Sequence, residues 1–281
     1  MKKLSFYPGC SLDGMAKDYA DSIASVFHSL EVDLIELDDW SCCGATAAHS
    51  LDEMMAAALP ARNLVIAEKL GFDLVSPCPN CFNRLVFSQK MIREKQIEVP
   101  WKLNGDLRIF EMTRFLSQPE MLQQIAQKVS HPLANLRVVC FYGCQMVRSP
   151  RITGYKDHEN PQTLDRIASC LGAKVQDWSY KATCCGASIG IGRKDIQESL
   201  TSRLLEKARQ AGAEAIVVSC SLCQANLDII QRRSKNNLLP VFYFVELMRL
   251  AFEGGGRALT WLKRHFTDPL PLLDRKGLLR P

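Results

Sequence analysis

Ten of the chain's twelve cysteines fall into one pattern written twice. In the first half Cys10, in YPGC, is followed after 31 intervening residues by the doublet Cys42-Cys43-Gly44, and after 34 more by Cys78-Pro79-Asn80-Cys81. In the second half Cys144, in FYGC, is followed after 39 residues by Cys184-Cys185-Gly186, and again after 34 by Cys220-Ser221-Leu222-Cys223. Thiols at recurrent spacings in a reducing compartment point to metal or redox chemistry rather than to a disulfide framework. Zinc is the default for Cys-x-x-Cys, but it takes four thiolates in a tetrahedron and five cysteines overfill it. Neighbouring side chains on extended backbone diverge, which suits a body of several metal atoms, and iron–sulfur clusters are held by thiolates. Glycine after each doublet permits a sharp turn or a close backbone approach. Peptide N–H groups opening the next helix can stabilise anionic sulfur.

The flanks of the cysteines repeat as well. DDWSCCGAT answers DWSYKATCCGAS, FDLVSPCPNC answers EAIVVSCSLC, and LRIFEMTRFL answers LPVFYFVELM. The copies differ by a polar insertion over residues 92–106, read as a surface loop. The chain therefore reads as a tandem duplication with its boundary in KVSHPLANL, giving domains at 1–130 and 131–281. Apolar patterning predicts strands at 3–7, 33–38, 73–76 and 107–110, then at 136–141, 174–178, 214–219 and 239–243. Helical patterns lie between them at 16–30, 51–71, 163–173 and 197–213, three of them stopping at Gly71, Gly172 and Gly212. Strands alternating with helices imply βαβ crossovers and parallel sheets. The expected fold is α/β: two homologous βα domains with small parallel sheets, related by a pseudo-twofold. In such sheets ligands gather beyond the carboxyl ends of the strands, which is where every cysteine element falls.

Composition excludes several classes. The chain is 47% apolar and 23% charged, a globular balance. Lys and Arg total 35 against 30 Asp and Glu, without the basic runs of a nucleic-acid binder. The first ten residues, MKKLSFYPGC, have no apolar core of a secretory signal, and no run approaches the roughly 18 apolar residues of a membrane span. A cytoplasmic protein is expected.

With YPGC, CCG and CPNC in one half, and CFYGC, HENPQTLDRIASCLGA, TCCGAS and CSLC in the other, nearly the whole chain resembles the B subunit of heterodisulfide reductases, proteins with two CCG domains. That resemblance implies two non-cubane [4Fe–4S] clusters at the domain interface. Carried over, Cys10, Cys42, Cys43, Cys78 and Cys81 would bind one, and Cys144, Cys184, Cys185, Cys220 and Cys223 the other. It further implies a small-molecule or protein disulfide lodged between the clusters, each delivering one electron and each departing sulfur caught on iron. Electrons would come from a ferredoxin-like iron–sulfur C subunit fed by a flavin-bearing A subunit. Two competing readings are an electron-relay subunit of a quinone- or membrane-linked dehydrogenase or of a sulfur-oxidising complex running in reverse, and a zinc-stabilised scaffold.

Other residues are read more plainly. Cys140, ending RVVC, and Cys170, on an apolar helix face, are packing thiols. His49, six residues after the first doublet, is a weak candidate proton donor. His158 serves a turn, Arg148 and Lys181 are read as solvated, and the tail RHFTDPLPLLDRKGLLRP packs on its own domain. EGGGR, 253–257, is a hinge.

Overall fold

A computed structural model describes residues 2–46, 48–232, 238–255 and 259–279. The first half runs β1 (Lys2–Phe6), α1 (Cys10–Asp13), α2 (Lys17–Ser29), β2 (Val32–Glu36), α3 (Ala48–Leu51), α4 (Glu53–Leu70), β3 (Leu74–Ser76), α5 (Pro79–Arg93), β4 (Ile109–Glu111), α6 (Met112–Leu116) and α7 (Pro119–Lys128). The second half runs β5 (Arg137–Phe141), α8 (Gly143–Val147), α9 (Pro150–Thr153), α10 (Thr163–Cys170), β6 (Lys174–Val175), α11 (Lys194–Gln210), β7 (Ala215–Val218), α12 (Ser221–Gln231), β8 (Val241–Tyr243), α13 (Phe244–Glu253) and α14 (Leu270–Arg275). Short 3-10 turns at Ala187–Ile189 and Leu262–Arg264 complete it.

Each half forms a four-stranded, all-parallel sheet with the same order, β2-β1-β3-β4 and β6-β5-β7-β8. Register follows the duplication: β1 pairs Ser5 with Leu74 and Phe6 with Val75, and β5 pairs Val138 with Ala215 through Phe141 with Val218. Strands covered on both faces need no alternation. Accordingly β7, AIVV, is buried at all four positions.

Reciprocal contacts relate the halves. Helix α2 packs on α13, and its counterpart α10 packs on α6, the counterpart of α13. A twofold demands such pairing of each patch with its equivalent. The seam is aromatic and buried: Tyr19 stacks on Tyr243 with ring centres 4.1 Å apart and planes 4° apart, and one apolar cluster runs across it from Leu4 and Val26 through to Val217 and Phe244.

Local chemistry explains where the elements depart from the apolar pattern. The helix expected over 51–71 breaks at Asp52, whose carboxylate accepts from the Met55 N–H and caps α4. Strand β6 stops after two residues, because the chain turns in at Trp178, whose indole N–H donates to the Cys140 carbonyl on β5. Helix α5 continues to Arg93, and the polar insertion loops from there to β4. The tail buries Leu272 and Leu273 and pairs Lys276 with Glu214 at 2.7 Å, but it does not stay on its own half, since Arg264 reaches Asp21 of the first half at 3.2 Å. Of the hinge at 253–257, residues 256–257 lie outside the described residues, as does the side chain of His49 on α3. Among the described residues no helix is long and apolar enough to cross a membrane.

Candidate metal centre

All six cysteine elements sit beyond the carboxyl ends of strands, and the five thiols of each half converge. In the first, Cys10 Sγ lies 4.0 Å from Cys42 Sγ, and Cys43 Sγ lies 3.4 Å from Cys81 Sγ. Cys78 is the near neighbour of Cys81, and Cys42 of Cys43, each shifting the other's thiol. In the second, Cys185 and Cys223 approach to 3.5 Å, and Cys144 and Cys184, like Cys220 and Cys223, shift each other's thiols. Each doublet splits as divergent neighbours should: Cys42 and Cys184 face solvent, whereas Cys43 and Cys185 are buried. The two pentads then meet. Cys78 and its equivalent, Cys220, each lie in the other's field, and the Asn80 amide donates to Cys220 Sγ at 3.7 Å.

Backbone geometry makes room for these contacts. Gly9, at φ 73°, stands where a Cβ would come within 2.8 Å of Cys81 Sγ, and Gly143, at φ 67°, where it would come within 3.1 Å of Cys223 Sγ. The glycine after each doublet, Gly44 at φ 72° and Gly186 at φ 85°, turns its N–H back onto the Sγ of Cys42 or Cys184. Side chains from neighbouring helices fix both loops. Asn63 of α4 holds both N–H and C=O of Ser41. Asn226 of α12 and Thr201 of α11 both donate to the Cys185 carbonyl.

Contacts among the sulfurs sort the thiols into raised and lowered ones. Sulfur contacts with Cys42 and Cys81 pull Cys43 down to about 4, against its burial. The sulfurs of Cys220 and Cys81 hold Cys78 well below the usual thiol range, helped by the N–H groups of Cys81 and Asn80 at the opening of α5. Cys184 is lowered to about 6 by Cys144, then by the Gly186 N–H and the Arg148 charge, and Cys185 is lowered by Cys223. Thiolates are the ligating form. Five convergent sulfurs per half, two of them lowered in pKa in each half and bordered by peptide N–H groups, are chemically suited to a sulfur-ligated group of several metal atoms and exceed what one tetrahedral ion takes.

The remaining candidates separate clearly. Cys140 is buried in β5, and Cys170 is half-buried with its thiol donating to the Leu122 carbonyl at 3.4 Å. His158 lies in an exposed turn beside the Lys156 carbonyl. Arg148 reaches Glu159 at the surface. Lys181 is a correction: it is 3% exposed and pairs with Asp165 at 2.7 Å. Asp165 also accepts from the Tyr142 hydroxyl, and the Lys181 carbonyl accepts from the N–H groups of Tyr142 and Gly143. The lysine thus braces the strand end that carries Cys144. Sequence reading missed Asn63, Asn226 and Arg84, the last a half-buried cation whose field reaches Cys43. Amides on otherwise apolar helix faces, in PARNLVIA and CQANLDII, were the available signal. A groove of about 550 Å³ along β2, lined by Ile23, Phe27 and Leu34, contains none of the thiols.

Fold and site together define a class: a tandem α/β protein that gathers five thiols at the strand ends of each half. A sequence model of the cysteine-rich domain family designated CCG matches residues 4–86 and 138–228, and the chain belongs to that family, with two tandem copies. It is 29% identical to the membrane anchor of the 8-methylmenaquinol:fumarate reductase of Wolinella succinogenes, over 89% of this chain and 92% of that protein. It is 25% identical to the B subunit of a ferredoxin:CoB-CoM heterodisulfide reductase of Methanosarcina mazei, over 89% of each. It is also 25% identical to a protein of Archaeoglobus profundus described as like the B subunit of heterodisulfide reductase, over 89% of this chain and 90% of that one. Among solved structures, a hypothetical protein from Helicobacter pylori shares the fold with a TM-score of 0.66 at 9% identity, over 94% of this chain and 52% of that one.

Proposed function

We propose that this chain is the disulfide-reducing component of a cytoplasmic heterodisulfide-reductase-type assembly. Each half, 1–130 and 131–281, holds one non-cubane [4Fe–4S] cluster, on Cys10, Cys42, Cys43, Cys78 and Cys81 in the first and on Cys144, Cys184, Cys185, Cys220 and Cys223 in the second. The observation that carries this reading is the meeting of the pentads where Asn80, between Cys78 and Cys81, donates to Cys220 Sγ at 3.7 Å, since splitting a disulfide by one-electron donors takes two donors side by side. When bound, the clusters supply the electrons and a seat for the departing sulfurs. The protein supplies everything around them. Buried thiols keep the inner ends from water, Cys10, Cys42 and Cys184 are open to a substrate, and the fields of Arg84 and Arg148 favour anionic thiolates at Cys43 and Cys184. Electrons enter from an iron–sulfur partner, itself supplied by a flavin-bearing one; the relatives named as B subunits support the presence of partner subunits.

Similarity to the membrane anchor of a menaquinol:fumarate reductase favours a second reading, in which the same centres relay electrons to or from a quinone-linked partner and bind no disulfide. Anaerobic purification with iron and acid-labile sulfide analysis tests the shared part: about eight of each per chain are expected, four per cluster. Zinc without sulfide would end both readings. Electron paramagnetic resonance of the loaded chain during titration with a dithiol or disulfide separates them, because a thiol reaching the metal alters the signal only in the disulfide-reducing protein.

A further inference from the structure

Asp18, Glu246 and His265 form a cluster of buried ionisable side chains outside both pentads. Asp18 comes from α2, Glu246 from α13 and His265 from the segment before α14, so the first half, the second half and the tail each contribute one. Their ligand-type atoms all lie within 4.8 Å of one another. His265 Nε2 is 2.9 Å from Glu246 Oε1 and 3.9 Å from Asp18 Oδ2, and none of the three side chains is more than 7% exposed.

The charges in this cluster do not balance. One imidazolium between two carboxylates leaves one negative charge over, unless a carboxyl carries a proton. Asp228 of α12 adds to the field on His265 but is itself held by the N–H groups of Phe266 and Thr267. Arg264 is the cation facing Asp18, and it reaches outward to Asp21 at 3.2 Å. Burial raises both carboxyls. His265 is raised to about 9, burial lowering it but Glu246, Asp228 and Asp18 more than compensating. Groups coupled this closely titrate as one unit, and an odd charge lets that unit gain or lose one proton without unpicking its packing.

A dry path of contacts joins the cluster to the thiols. Tyr243 donates its backbone N–H to Glu246 Oε2 at 2.8 Å, and its ring stacks on Tyr19, the chain neighbour of Asp18. The Tyr19 hydroxyl donates to the carbonyl of Pro77, the residue before Cys78. Tyr243 lies in the fields of Asp18, Glu246, Cys220 and Cys78, and Tyr19 in those of Glu111, Tyr243, Cys78 and Cys220. With Tyr19 at 0% and Tyr243 at 2% exposure, no water layer screens one set of charges from the other.

We propose that Asp18, Glu246 and His265 form a proton-uptake site that compensates the charge of an electron arriving at the Cys78–Cys220 seam. The inference rests on the iron–sulfur reading above. In the balanced step, one electron enters from an electrode through a mediator, one buffer acid gives up its proton, and one O–H bond forms on the Asp18 or Glu246 carboxyl. The interior's net charge is unchanged. Reoxidation returns the proton.

The test uses the anaerobically loaded full chain and its D18N, E246Q and H265Q variants, with iron and sulfide measured first. Potentiometric titration followed by electron paramagnetic resonance, from pH 6 to pH 9, should show the wild-type reduction constant falling tenfold per pH unit where the cluster titrates, about 59 mV for one electron. In the loaded variants the fall should be less than threefold, and proton uptake on reduction should drop in step. D18N carries the test if E246Q or H265Q fails to fold. A wild-type potential that ignores pH, slopes unchanged by every folded variant, or a divalent cation retained by wild type and lost from H265Q would each overturn the proposal. A chain that takes up no iron and sulfide overturns the functional reading along with it, whereas a loaded chain with a flat pH response overturns this inference alone.

Discussion

Replacing Glu111 by Gln should flatten the acid-to-neutral fall in the protein's stability. Glu111 ends β4, is 0% exposed, and caps α6 through one oxygen, Oε2, which accepts from the N–H groups of Thr113 and Arg114 at 2.9 and 3.2 Å. Its other oxygen, Oε1, has no hydrogen-bond partner among the described residues. The Arg114 guanidinium is turned away to the carbonyls of Thr153 and Gly154. Burial therefore dominates and raises the carboxyl from 4.5 to about 7, the Thr113 and Arg114 contacts opposing it. The folded state then binds the proton more tightly than the unfolded chain, so stability falls as pH rises. The contribution is fully present below pH 4.5 and lost as pH climbs through about 7. At 1.36 kcal/mol per pH unit, the gap of about 2.5 units amounts to roughly 3 kcal/mol. Urea unfolding of the loaded wild-type and E111Q proteins from pH 4.5 to pH 8 reads this difference, with metal-dependent effects common to both. The wild-type free energy should drop roughly 3 kcal/mol more than that of E111Q over the range. Parallel curves, or a steeper one for E111Q, would refute the argument from burial.

Two further outcomes follow from the geometry. Gly9→Ala places a Cβ 2.8 Å from Cys81 Sγ at φ 73°, whereas Gly71→Ala at φ 74° meets nothing within 4 Å; both carry the left-handed strain of roughly 1–2 kcal/mol, but only G9A should lose iron, down to about half the wild-type content, by colorimetric analysis. Lys181→Met leaves Asp165 buried and short of a partner, which should cost about 3–5 kcal/mol by urea unfolding; the double variant K181M/D165N should recover most of it, and a loss under about 1 kcal/mol in the single variant would place that pair in the range of surface ion pairs.

How much of this was legible in the sequence depends on the range of the interaction concerned. The pentads were legible because a duplication repeats spacings, and the α/β alternation because parallel strands and their helices carry opposite apolar periods. The glycines after the doublets, 44 and 186, could be given a reason only as a type, and that Gly9 clears Cys81 Sγ and Gly143 clears Cys223 Sγ needed coordinates. Lys181 was misread because a lysine in SYKATCC looks solvated until Asp165, sixteen residues earlier, is found beneath it. Asp18, Glu246 and His265 were invisible for the same reason in stronger form: each obeys local rules on its own segment, and nothing local joins Glu246 to His265, nineteen residues on, or either to Asp18, more than two hundred residues earlier. The contact between Cys78 and Cys220 is intermediate. Duplication makes them equivalents, and a twofold forces residues near its axis to meet their own copies, but which residues lie near the axis is decided by the packing of α2 on α13 and of α10 on α6. The helices that bring the thiols together also bury the acids behind Tyr19 and Tyr243, so thiol contact and carboxyl burial follow from one interface. A substitution that loosens α2 from α13 should therefore disturb both at once.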